Sequence, residues 1–76
     1  MTEDKFLTIV AKALDIKKNK ISIKTKIADL EEWDSLGHLA ILSALDKSSK
    51  KKVSKIPKIA ESKNLQSIYN KIKKIN

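Results

Sequence analysis

Cysteine is absent from the 76 residues of this chain. Its absence excludes disulfides, thiolate metal sites and cysteine nucleophiles together. A single histidine, His38, is too few for a zinc site. Glycine and proline occur once each, and sheet domains built on tight hairpins need more turn residues than that. The aromatic residues are Phe6, Trp33 and Tyr69, and every basic residue is lysine, with no arginine. No apolar run approaches the ~20 residues of a membrane-spanning helix. Met1 is followed by Thr2-Glu3-Asp4 rather than by a basic and then apolar leader. A soluble, cytoplasmic protein is therefore expected. At this length the chain forms one domain, residues 1–76, with one modest core and no room for a deep active-site cleft.

What the chain does have is lysine, isoleucine, leucine and alanine, a composition that favours helices. Charge is unevenly distributed along it. Residues 1–46 hold seven lysines against eight carboxylates, whereas residues 47–76 hold ten lysines against Glu61 alone. The formal net charge of +8 thus belongs to the second half. Such asymmetry points either to contact with an anionic partner or to a lysine-rich solvated face. The lack of arginine, the residue that reads phosphates and guanines with two parallel hydrogen bonds, weighs against nucleic acid.

Hydrophobic periodicity divides the chain. Phe6, Ile9, Val10, Ala13 and Leu14 recur at helical spacing, with Thr2 as cap and Glu3 and Asp4 in the first turn, which predicts a helix over about 3–14. Residues 15–34 lose that period, yet Ile16, Ile21, Ile23, Ile27, Leu30 and Trp33 punctuate them. The expectation is a long loop pinned across the core, with one short turn near Ala28–Glu31. A second helix is expected over about 35–48, with Leu36, Leu39, Leu42 and Leu45 as its core stripe and Ile41 and Ala44 widening it. Gly37 costs such a helix ~1 kcal/mol relative to alanine, and a glycine one turn into a helix marks close approach by another group. After the solvated stretch Ser48–Lys52, Pro57 suits the first position of a short helix over about 57–62. Asn64 then caps a last helix over about 65–74, with Leu65, Ile68, Tyr69 and Ile72 on its apolar face. The fold class is all-α: a small four-helix bundle of three longer helices and a short helix III, with a long loop between helices I and II.

Chemistry-bearing residues are few. His38 follows Ser35 by three positions, which places both on one side of a helix. A serine hydrolase also needs an oxyanion donor and a substrate pocket, and no nucleophile elbow surrounds Ser35. The plain expectation for His38 is a polar side chain at the exposed start of a helix. Asp29, Glu31, Glu32 and Asp34 lack the spacing and the glycine of a calcium loop and read as a solvated acidic segment before a helix. Ser35 and Asp34 are both good N-caps.

The run Leu30-Glu31-Glu32-Trp33-Asp34-Ser35-Leu36-Gly37-His38-Leu39 resembles the modification site of acyl carrier proteins. The resemblance extends over nearly the whole chain: a long helix I, a long first loop, an apolar second helix, and Ile56-Pro57 before a short helix III. It implies that Ser35 is the attachment point of a 4′-phosphopantetheine arm derived from coenzyme A. It further implies that Asp34 takes part in recognition by a phosphopantetheinyl transferase, and that the chain is a carrier of acyl or aminoacyl thioesters and not an enzyme. Partners would be that transferase and the enzymes that load and transfer acyl groups, with Leu36, His38, Leu39 and Ile41 as docking residues. A monomer with no stable nucleic-acid or membrane binding is expected, and no metal site.

The chain departs from the family in charge. Most family members are acidic and display helix II carboxylates to basic partners, whereas the corresponding positions here are Ala40, Asp46 and Lys47. A specialised biosynthetic pathway with a dedicated partner, read more by shape than by charge, is the resulting expectation. The competing class is a small basic helical protein that binds nucleic acid or an anionic surface through Lys50–Lys58 and Lys71–Lys74.

Overall fold

Helix α1 runs from Glu3 to Leu14 and is defined by local chemistry at both ends. Thr2, in extended conformation, accepts a hydrogen bond from the Lys5 N–H on its Oγ1 at 3.1 Å, and Glu3 and Asp4 fill the first turn. The helix stops where Asp15 enters the left-handed region (φ 56°). There the N–H of Ile16 reaches the Ala11 carbonyl and that of Asp15 reaches Lys12, the paired bonds of a Schellman motif. Lys18 of the following turn forms an ion pair with Asp4. The computed structural model describes residues 2–49, 53, 56 and 58–73, and side chains within 2–48 and the later described positions. Among these residues the fold is all-helical, with no strand.

Two further α-helices complete the set: α2, Ser35–Ser49, and α3, Leu65–Lys73. One core collects the inward faces. It takes Phe6, Val10 and Leu14 from α1, Ile41, Leu42 and Leu45 from α2, and Leu65, Ile68 and Ile72 from α3. Phe6 and Tyr69 meet ring to ring with centroids 5.1 Å apart. None of the helices among the described residues is long and apolar enough to cross a membrane.

The core stripe of α2 differs from the expected one. Leu36 and Leu39 are 77 % and 62 % exposed, whereas Ile41 is fully buried. At 3.6 residues per turn, a strict three-residue spacing drifts by about 60° per step, so four leucines sweep about half the circumference. Leu36 therefore starts on the solvent side and Leu45 ends inside. The buried face follows His38, Ile41, Leu42 and Leu45, the combination of three- and four-residue steps that a straight helix keeps on one side.

The segment between α1 and α2 is pinned as expected. Ile21 and Trp33 are buried, and Ile16, Ile23, Ile27 and Leu30 pack against the core. It contains two single 3-10 turns, Lys18–Lys20 and Ile27–Asp29; the sequence pointed to the second and not the first. Its register is fixed by pairing with the start of α3. Lys26 and Asn64 form an isolated antiparallel bridge, with Ile27 N–H donating to the Lys63 carbonyl (2.8 Å) and Leu65 N–H to the Thr25 carbonyl (3.0 Å). No periodicity announces such a bridge, because it is made of backbone alone.

The expected short helix over 57–62 is a single 3-10 turn, Ile59–Glu61, in the described residues. Lys58 takes a left-handed conformation (φ 63°), which no right-handed helix can pass through. Pro57 lies outside the described residues. Helix α3 begins as the sequence indicates, with the Ser67 N–H donating to Asn64 Oδ1 at 2.7 Å. Replacing Asn64→Ala is expected to lower stability by about 1 kcal/mol, read by urea denaturation. An unchanged midpoint would show that the cap does not hold this end.

Candidate functional site

The site is built from the last residues of the long loop and the first turn of α2. Trp33 points inward and is 2 % exposed. Its indole Nε1–H donates to His38 Nδ1 at 2.9 Å, and the two rings lie nearly parallel, 12° apart, with centroids 6.0 Å apart. The next residue, Asp34, caps the helix: its Oδ1 accepts from the Gly37 N–H at 2.8 Å, and its carbonyl accepts the first helical bond from the His38 N–H at 2.8 Å. Ser35 is then the first residue inside α2, and it is exposed. Capping falls to Asp34, so no hydrogen bond from the described residues engages the Ser35 hydroxyl. The sequence left the choice between Asp34 and Ser35 open; the geometry gives the cap to Asp34.

Gly37 is needed here for space. A Cβ on it would lie 2.3 Å from the Glu32 carbonyl oxygen and 2.9 Å from Leu14 Cδ2. The turn at Glu31–Glu32 and the end of α1 both close onto the bare face of α2 at this one position. That contact presses the loop against the helix and delivers Trp33 to the interior. Asp29 belongs to the same construction, its Oδ2 accepting from the Lys26 N–H at 2.9 Å. Two carboxylates of the acidic segment thus serve backbone turns.

His38 departs from expectation. It is 8 % exposed, not a polar group at a solvated helix start, and cannot meet a partner at the surface. Ile41 is likewise buried and cannot be a docking residue in this conformation. In the neutral ring the indole donor occupies the Nδ1 lone pair, so the hydrogen resides on Nε2. No lone pair remains to draw a proton from Ser35. Nε2 is itself buried and has no hydrogen-bond partner, a state that costs about 1–3 kcal/mol for a typical polar group. A cavity of about 570 Å³ lies beside Ser35, lined by Ile27, Asp34, Ser35, His38, Leu39 and Ala60. The sequence did not single out Ala60, which reaches the site only through the 3-10 turn at Ile59–Glu61.

The lysine-rich stretches are partly visible. Lys50, Lys51, Lys52, Lys55 and Lys74 lie outside the described residues. Lys71 Nζ donates to Ser62 Oγ (2.9 Å) and Ser67 Oγ (2.7 Å), and Lys73 Nζ sits 5.4 Å from the centre of the Tyr69 ring.

Two consequences follow for stability. Alanine at an open helical glycine gains about 1 kcal/mol, but at Gly37 overpacking should reverse the sign, and Gly37→Ala is expected to lose about 1–3 kcal/mol in urea denaturation. Asp34→Ala should cost about 1 kcal/mol through the lost cap, whereas Ser35→Ala should stay within about 0.5 kcal/mol. The opposite order would assign the cap to Ser35. Comparison of the chain with protein-family models, with curated proteins and with solved structures finds no match.

Proposed function

We propose that this chain is an acyl carrier protein whose Ser35 bears a 4′-phosphopantetheine arm. The observation that carries the reading is the division of labour across Trp33-Asp34-Ser35. The tryptophan is buried, the aspartate caps, and the serine hydroxyl stands exposed and uncommitted at the start of a 15-residue helix. A phosphodiester formed there would meet the positive end of the helix dipole. The fit to the cofactor rests on that hydroxyl and on the cavity at its side.

In the modification step the Ser35 hydroxyl attacks the coenzyme A phosphorus that bears pantetheine. The bond from that phosphorus to adenosine 3′,5′-bisphosphate breaks, and the hydroxyl proton leaves to solvent or to the transferase. Asp34, adjacent and held by its cap, is positioned for recognition by the transferase and its magnesium-bound coenzyme. The arm supplies the thiol for thioester attachment of acyl or aminoacyl groups, so a chain without cysteine serves. In this reading the chain is acted upon by enzymes and is not one, and the 3-10 turn at Ile59–Glu61 stands where the family's four-helix layout has its short third helix.

Leu36 and Leu39, exposed apolar residues flanking Ser35 on the same helix, are the docking surface of this proposal. The first 46 residues hold only one carboxylate more than they hold lysines and the second half is basic, which favours a dedicated partner in a specialised pathway over an enzyme that selects acidic carriers. The test is incubation with coenzyme A, magnesium and a broad-specificity phosphopantetheinyl transferase, followed by intact-mass measurement. A gain of one phosphopantetheinyl unit, lost in Ser35→Ala, is expected. A folded chain that gains no mass beside an active transferase would sink the reading.

A further inference from the structure

The cavity beside Ser35 contains a feature that an acyl chain alone does not explain. Ile27, Leu39 and Ala60 give it apolar walls, and Asp34 Oδ1 is already taken by the Gly37 N–H. His38 also lines it. The ring's Nδ1 is fixed by Trp33, and Nε2 is buried with no partner among the described residues. A largely apolar cavity bordered by a residue with a buried, unpaired donor is complementary to an apolar group that carries a hydrogen-bond acceptor, once that donor is uncovered. It is poorly complementary to a plain alkyl chain, which would leave the donor unpaired.

We infer that the His38 Nε2–H is a recognition donor for an oxygen acceptor on the group tethered at Ser35, with the cavity holding that part of the arm or its cargo. The inference rests on the carrier reading, because only a group attached at Ser35 is held at the cavity edge by its own tether. Nε2 is closed to bulk water, so the pairing requires a side-chain rotation in the wall. Leu39, a wall residue that is 62 % exposed, is free of core packing that would prevent it. His38 acts here as a specificity residue: it favours the state in which the tethered oxygen lies in the cavity over the state in which the arm extends into solvent. Two oxygens have the required chemistry, an amide carbonyl of the pantetheine and a carbonyl of the cargo.

One histidine in the chain makes the donor directly observable by proton–nitrogen magnetic resonance of the intact, unmutated protein. Four states are compared: unmodified, and modified by the transferase from coenzyme A, butyryl-coenzyme A or acetoacetyl-coenzyme A, each verified by mass. The expected result is a downfield move of the Nε2–H proton on modification and a slowing of its exchange with solvent by roughly two- to tenfold, as one added hydrogen bond gives. A response to the arm alone assigns the acceptor to pantetheine. A response that first appears with butyryl assigns it to the thioester carbonyl, and one confined to acetoacetyl assigns it to the second carbonyl of the cargo. All three support the inference. Full modification with an unmoved Nε2–H in every state overturns it and leaves the carrier reading intact. No mass gain overturns the carrier reading and the inference together.

Discussion

The Glu32 carbonyl lies against the face of α2 at Gly37, in the space that a Cβ would need, and the rest of the site is arranged around that contact. A side chain at position 37 would hold the loop away from the helix by at least the width of a methyl group. With the loop in contact, Trp33 falls over the core and its indole reaches His38 five residues later. Asp34 then lies where its carboxylate meets the Gly37 N–H, and Ser35 is turned outward. Orientation of one hydroxyl thus comes from a contact made by a residue without a side chain. This is consistent with the general behaviour of close-packed interiors, in which a single methyl group displaces its neighbours.

The elements whose signals are local were legible in the sequence. Helix α1 coincides with its expected span because Thr2, Glu3 and Asp4 define the start and the Phe6–Leu14 pattern defines the face. Helix α3 begins at its expected Asn64 cap for the same reason. What could not be read depended on residues distant in sequence. The bridge between Lys26 and Asn64 has no side-chain signature. The burial of His38 follows from a partner five positions earlier that is itself oriented by Gly37, so an imidazole near a helix start looked solvated. On α2 the leucine stripe misled because its apolar residues surround the helix, and which side faces in is decided by α1 and the loop, not by the helix's own pattern.

Within the site, Ser35, Asp34, Leu36 and Leu39 are exposed, whereas His38 and Ile41 are buried. The exposed apolar pair interrupts the rule that large aliphatic side chains on a small domain are buried, and it does so directly beside the free hydroxyl. Their exposure follows from helical drift, so it required no special residue. Polar groups near them are largely committed to backbone turns, which leaves shape as the surface's most distinctive property there.

Trp33 is the one tryptophan of the chain, and it stacks on the one histidine, next to Ser35. Indole emission in this protein therefore originates from a single place, and that place is the floor of the site. Any event that parts the two rings or changes what lies over them alters the colour and yield of that emission, while unrelated motions far from them do not. The molecule carries its own optical reporter, set by its fold one residue from the cap and two from the serine.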